Sequence, residues 1–225
     1  MRHRTFQQTA DPSATPDACY ALRVESAGFK ALIDQRIQAT DPQARAEIDA
    51  QIRRRYERDA AVLISDMSGF SRITQEEGIL HFVELIHRMQ DLALPILEAC
   101  EGGRLVKAEA DNLYASFDSV QAAVDTAVRL QDTFARAFAG KRLNDTVSLS
   151  IGIAWGRLLD VDGQDYYGDP VNLASKLGED LASGGEVFLT RAAAEHMHVP
   201  GGWTVTPRQA RISEVDIDFV ALSRT

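Results

Sequence analysis

Cysteine is scarce in this 225-residue chain. There are two, Cys19 and Cys100, far apart and at no spacing that suits a metal, so both are expected as free thiols in a reducing compartment. Long apolar runs are missing as well: none approaches the ~20 residues needed to span a bilayer. The opening MRHRTFQQTADPSATPDAC carries basic residues with no apolar stretch behind them, which excludes a secretory signal. A cytoplasmic protein with no membrane insertion is the expectation. Nor is there an excess of positive charge. The net charge of −9 argues against nucleic acid as a partner, because affinity for a phosphate backbone comes from clustered Lys and Arg. A nucleotide stays compatible with an acidic protein when metal ions supply the positive charge.

What is present begins with 45% hydrophobic content, enough for one main domain and an appendage. Its most informative stretch is LVKAEADNLYASF, residues 105–117. Leu105 and Val106 lead in, Leu113, Ala115 and Phe117 alternate on the way out, and Glu109 to Asp111 reads as a tight turn. This predicts a β-hairpin with Lys107 and Asp111 near its tip. Charge at a hairpin tip ordinarily does no more than keep it hydrated. Here, however, a second aspartate, Asp66, ends the apolar run Ala61–Ser65, and Met67-Ser68-Gly69-Phe70-Ser71 leads on to a helical pattern. A strand that ends in Asp and opens through a small turn onto a helix presents backbone N–H groups to an anion. Two carboxylates at neighbouring strand ends suit hard cations over phosphates. The combination points to a nucleotide.

Along the rest of the chain, residues 1–23, with Pro12 and Pro16, read as a tail, and 24–59 as a helical extension. Leu32, Ile33 and Ile37 mark one helix face. Thr40-Asp41-Pro42 is a break with Pro42 in the next first turn, and Ile48, Ile52 and Tyr56 follow. The pair is expected to pack on the domain, with Arg53, Arg54, Arg55 and Arg58 as a solvated basic face. Ile79, Phe82, Val83, Ile86, Met89 and Ala93 recur at helical spacing as core. Pro95 is expected to kink or end that helix, and His81 and His87 are ordinary side chains on it. Asp118 with Gln121 reads as a capping box opening a helix striped by Val120, Ala123, Val124, Ala127, Gln131, Phe134 and Phe138. Val147–Trp155 is a buried strand and Asp160–Gln164 a turn. Asp169 is expected to cap a helix with Pro170 at its first position, placing Asn172 and Lys176 on one face. Val187–Leu189 and Val215–Leu222 are further strands, and Trp203 is packing. Strand, helix, hairpin, helix, strand is the split βαββαβ order of ferredoxin-like α/β (α+β) folds, here spanning 60–225.

Four blocks, LISDMSGFSRIT, LVKAEADNLYASF, SIGIAWG and DYYGDPVNLASKL, in this order and spacing, resemble the class III nucleotidyl cyclase catalytic domain from about Ala60 to about Thr190. The resemblance implies a ferredoxin-like core and a symmetric homodimer with active sites built from both chains. Asp66, Asp111 and the Met67 carbonyl would hold two Mg²⁺ or Mn²⁺ ions, with Ser68, Gly69, Phe70 and Ser71 around the phosphates. From the other chain, Lys107 and Asp165 would read the base, while Asn172 and Lys176 would position ribose and phosphate. Lys and Asp complement the acceptor N1 and donor N6 of adenine, whereas guanine has the reverse polarity. An adenylate cyclase converting ATP to cyclic AMP and pyrophosphate is therefore implied.

The chain also departs from the family pattern. Lys176 stands where an arginine is usual and lacks its bidentate fork. Ser150 stands where an arginine often precedes the IGI-like segment; Arg208 or Arg211 is a candidate for the compensating charge, the alternative being that either is only solvated. Glu109 and Ala110 replace an apolar residue and a glycine, and the arm from Gly156 to Asp165 is short. A degenerate domain that binds nucleotide, or only dimerises, and regulates a partner is the rival reading, and a guanylate cyclase is a third.

Overall fold

In the computed structural model residues 26–212 and 215–225 are described; the predicted tail and Cys19 lie outside them. Helix α1, Ala27–Gln38, is capped by Ser26, whose Oγ accepts from the Phe29 N–H. Helix α2, Pro42–Tyr56, starts as the Thr40–Pro42 break predicts, with the Asp41 carboxylate accepting from the Ala44 N–H at 3.0 Å. Strand β1, Glu57–Met67, follows directly, so the helical extension ends at Tyr56, not at 59. Arg58 is consequently a strand residue, not part of a solvated helical face. Its guanidinium donates to Asp160 at 2.7 Å and to Ser116 at 3.1 Å.

After β1 come α3 (Phe70–Glu76), α4 (Ile79–Glu98), the hairpin β2 (Gly103–Glu109) and β3 (Asn112–Phe117), then α5 (Val120–Ala137). Next are β4 (Leu149–Val161), β5 (Asp165–Tyr167), α6 (Asp169–Ser175) and a π-helical turn over Lys176–Leu181. The chain finishes with β6 (Val187–Thr190), α7 (Arg191–Ala194), β7 (Trp203–Ile212) and β8 (Val215–Arg224). The sheet runs β2-β3-β1-β4-β6-β8-β7, with β5 paired to β4. The β4–β6 pairing is parallel and the others are antiparallel. Inside this mixed α+β sheet lies the predicted βαββαβ core.

Central β1 is buried on both faces, which is why it reads as a continuous apolar run and not as an alternation. Ala61, Leu63 and Met67 face α4 and α5, while Ala60, Val62 and Ile64 meet Tyr166 and Ala174 on the α6 side. Helix α4 touches the core along Phe82, Leu85, Met89, Ala93 and Leu97. Ile79 and Val83 are therefore on its outward side, 56% and 39% exposed, contrary to expectation. Ile37 of α1 is exposed too. Pro95 lies inside α4, which runs on to Glu98.

The predicted caps shift by one residue. Ser119, in extended backbone, caps α5 by accepting from Ala122 N–H at 3.2 Å, so Asp118 and Gln121 form no capping box. Gly168 is the N-cap of α6, making Asp169 its first residue and Pro170 its second. Strand β4 outruns the expected Val147–Trp155 because its far half pairs with the start of β1 and with β5. Strand β7 was not foreseen. It is an edge strand with Trp203 buried at one end beneath the Arg224 guanidinium.

One contact seats α6 on the sheet. A Cβ on Gly152 of β4 would collide with the Ala174 carbonyl oxygen and lie 2.5 Å from the Gly178 nitrogen, while one on Gly178 would lie 2.7 Å from the Ile64 carbonyl oxygen. Backbone meets backbone here, so neither side chain has room. Gly152→Ala is expected to destabilise the protein by about 3 kcal/mol or more, read by urea unfolding, whereas Gly201→Ala, where no atom lies within 4 Å, changes stability by less than about 0.5 kcal/mol.

Candidate active site

Two clusters lie on the α6 side of the sheet and at its strand ends. The first is a cleft of about 550 Å³ lined by Asp66, Met67, Gly69, Phe70, Ser71, Arg72 and Asp111. Asp66 is carried at the end of β1 and Asp111 in the two-residue loop of the β2–β3 hairpin, where Glu109 pairs with Asn112. Ala110 precedes Asp111 at φ 52°, a left-handed conformation that costs an L-residue about 1–2 kcal/mol and that glycine would adopt freely. The loop geometry is thus kept although the glycine is gone. The Asn112 amide, with its nitrogen turned inward, donates to the Ser65 carbonyl at 3.1 Å and to Asp66 at 3.3 Å.

Burial, and then the charges of Asp111 and Glu179, push the Asp66 carboxyl up to about 6, against a hydrogen bond from the Met67 N–H that lowers it. Like charges facing one cleft form a donor set that a divalent cation would stabilise. Among the described residues no group of three or more His, Cys, Asp and Glu is arranged around a metal position, so the two aspartates are a pair, with the Met67 backbone beside them.

Met67 leads into Ser68 and Gly69, and Gly69 at φ 106° opens α3. The Ser68 N–H is taken by the Ser148 carbonyl at 3.0 Å, so of the predicted phosphate-facing turn it is the first residues of α3 that have no intrahelical acceptor. Ser150, directly opposite Asp66 in the β1–β4 register, is buried and hydrogen-bonded to the Ser68 hydroxyl at 3.0 Å. The position is satisfied by a small polar contact and holds no cation. Arg208 and Arg211 do not replace one from within this chain. They sit on β7, four strand positions or roughly 19 Å from β1, paired with Glu186 and Asp216.

The second cluster holds the predicted base-reading pair. Lys107 of β2 and Asp165 of β5 come together, with Nζ 3.9 Å from Oδ1. Lys107 also stands 4.6 Å over the Tyr114 ring and 3.6 Å from Glu109. Glu109 therefore turns toward the lysine and is absent from the lining of the aspartate cleft. Asn172 is on α6 and its carbonyl accepts from the Lys176 N–H, so the two are four apart on continuous helical backbone before the π turn begins.

Two residues of this region escaped the sequence reading. Tyr114 donates to Glu179 at 3.3 Å, and its hydroxyl is pushed up to about 12 by burial and by Glu179. Glu179 accepts from Ser175 at 2.6 Å as well. The outward alternation of the hairpin marked Tyr114 as facing the other way from Leu113 and Ala115. Nothing in the sequence marked Glu179, which the π turn brings over the sheet. Arg72 also lines the cleft and is held by Asn144, whereas His81, read as ordinary, donates from Nε2 to the Asn144 carbonyl at 2.9 Å and lies 3.3 Å from Asp145.

No protein-family model matches the chain. An adenylate cyclase of Streptomyces coelicolor is 31% identical over 142 residues, 63% of this chain and 35% of that protein. The chain thus spans about a third of that relative's length. Among solved structures, an adenylate/guanylate cyclase/hydrolase from Silicibacter pomeroyi matches with a TM-score of 0.62 at 25% identity, over 74% of this chain and 97% of that one. A bacterial light-regulated adenylyl cyclase matches with a TM-score of 0.59 at 20% identity, over 73% and 89%. Fold and sequence likeness agree with the four blocks: the chain is similar to adenylate and guanylate cyclase domains over most of its length.

The electrostatics of Asp66 give a test that needs no turnover. A carboxyl raised from 3.8 to about 6 in the fold favours folding less as pH rises: its effect is absent below pH 4, develops between 4 and 6, and is a full destabilisation above 6. Asp66→Asn is expected to raise the stability of the metal-free protein at pH 7.5 by about 1 kcal/mol, allowing for solvent screening of a half-exposed group, with no gain at pH 4. Thermal melts in chelator across that range measure it, and added Mn²⁺ should stabilise the parent protein but not the variant.

Proposed function

We propose that this chain is an adenylate cyclase that forms cyclic AMP and pyrophosphate from ATP at sites shared by two copies. The observation that carries the reading is the pairing of Lys107 with Asp165 at 3.9 Å, a donor and an acceptor presented side by side. Lys107 would donate to adenine N1 and Asp165 accept from N6. Guanine offers a donor at N1 and an acceptor at O6, leaving both side chains facing groups of their own kind, a mismatch that closed pockets penalise strongly.

Asp66 and Asp111, with the Met67 carbonyl, would hold two Mg²⁺ or Mn²⁺ ions, whose chemistry is to lower the pKa of the ribose 3′-hydroxyl and offset charge on the phosphates. Ser68, Gly69, Phe70 and Ser71 would border the triphosphate, with the first N–H groups of α3 as donors. Asn172 would orient the ribose, and the Lys176 ammonium would offset charge on the α-phosphate as the 3′-oxygen displaces pyrophosphate. A single point charge there in place of an arginine fork predicts slow turnover.

Ser150 favours a second reading. Because this buried residue bonds to Ser68, a position that often bears a cation is closed, which suits a domain that binds nucleotide to regulate a partner.

The purified protein given ATP or GTP with Mn²⁺ decides between them. Cyclic AMP from ATP, lost at least about a hundredfold in Asp111→Asn, is the expected result; nucleotide binding without product would favour the regulatory domain. If sites are shared, mixing Asp111→Asn with Lys107→Ala chains restores activity at one site per heterodimer, measured against each variant alone.

A further inference from the structure

The acceptor of the proposed base-reading pair is held by a residue that also touches the helical extension. Asp165 and Tyr167 are alternate residues of β5 and project to the same side. The Tyr167 hydroxyl donates to Asp165 Oδ2 at 3.0 Å, while Oδ1 accepts from the Tyr166 N–H at 2.9 Å and faces Lys107. Both carboxylate oxygens are therefore oriented, one by backbone and one by the tyrosine.

The ring of Tyr167 lies on Phe29 of α1, with centroids 6.0 Å apart and planes 8° from parallel. Phe29 also meets Tyr56 of α2 edge-on at 5.1 Å. Helix α1 has no buried residue. It is held by these ring contacts and by the Arg36–Asp49 ion pair, and a cleft of about 550 Å³ that includes Ile33, Arg36, Ile52, Arg157 and Tyr167 runs between the extension and β4. An element with so few buried contacts belongs to the low-stability end of a fold. α2, by contrast, is anchored through buried Ile52 and Tyr56.

We propose that Tyr167 is a positioning residue for base selectivity: it sets the orientation of the Asp165 carboxylate, and through Phe29 it makes that orientation depend on whether α1 is docked. The proposal rests on the reading of Asp165 as the acceptor for adenine. With α1 docked, the stacked ring holds the hydroxyl against Oδ2. With α1 displaced, the ring loses its support on that face, the carboxylate turns more freely, and discrimination between adenine and guanine weakens. The extension thereby tunes substrate choice without entering the site.

The test uses the full chain and reads selectivity as the ratio at which ATP and GTP displace a fluorescent ATP analogue, together with kcat/KM where product forms. Tyr167→Phe keeps the ring and loses the hydroxyl; it is expected to lower the ATP preference about tenfold, the worth of one hydrogen bond to a charged group, through KM more than kcat. Phe29→Ala should lower it about threefold, and Phe29→Tyr, which keeps a ring on Tyr167, should retain it. The double variant Tyr167→Phe/Phe29→Ala should be no worse than Tyr167→Phe alone, because both act along one path. Unchanged selectivity in Tyr167→Phe, or in Phe29→Ala, in a protein that prefers ATP would overturn the proposal and leave the adenylate reading standing. Absence of any ATP preference in the parent protein would overturn both, and is seen before a variant is made.

Discussion

The site depends on one close approach, where Gly152 of β4 and Gly178 of the π turn let main chain lie on main chain. No side chain separates the layers at that point. Helix α6 and the π turn therefore lie low over β1 and β4, with Ala174 and Leu177 buried. This brings Glu179 within electrostatic reach of Asp66 and within a hydrogen bond of Tyr114, and it holds Asn172 and Lys176 over the sheet. Were a methyl group present, the helix would ride higher and the charges of the two clusters would part. π turns recur at functional sites for this kind of reason, an extra residue re-aiming the side chains that follow.

Charge of one sign is gathered at the first cluster of this region. Asp66, Asp111 and Glu179 face one another with their mutual repulsion expressed in the raised Asp66 carboxyl. Lys107 is pulled by Glu109 and Asp165 and lies on Tyr114. The Asp66 carboxylate is disfavoured by the fold, a signature that clusters at functional sites. Arg58 shows the opposite case: its ion pairs with Asp160 and Asp118 knit β1 to the far half of β4 and to the end of β3 and serve the scaffold.

The departures from the family pattern divide on structural grounds. Ala110 keeps the hairpin loop in its left-handed conformation at a modest energetic cost, and Glu109 turns to Lys107, so the hairpin still delivers Asp111 to the cleft. Ser150 is different, since it is closed into the sheet by Ser68 and has no long side chain to send toward a phosphate. The distant Arg208 and Arg211 are held by their own partners on the far edge. Lys176 is thus the cation to which the proposed mechanism assigns the transition-state role.

The sequence by itself determined the elements whose signal is local. The break at Asp41–Pro42, the β1 run ending in Asp66, the hairpin with Lys107 and Asp111 near its tip, and the stripe of α5 were all legible, because apolar period, turn chemistry and strand length are properties of short segments. So was the order of elements that makes the ferredoxin-like core, whereas the joint role of Lys107 and Asp165 was implied by the family resemblance alone. Tertiary structure decided the rest. Which face of α4 is buried, which of two adjacent residues caps α5, how far β4 extends and where Arg58 points all depend on what packs opposite, and that partner is distant in the chain. Glu179, the Ser68–Ser150 contact and the Phe29–Tyr167–Asp165 path carry no local pattern at all. They exist because the fold brings distant segments together, as where Gly152 of β4 meets Gly178 of the π turn, and meeting is a property of the fold and not of any stretch within it.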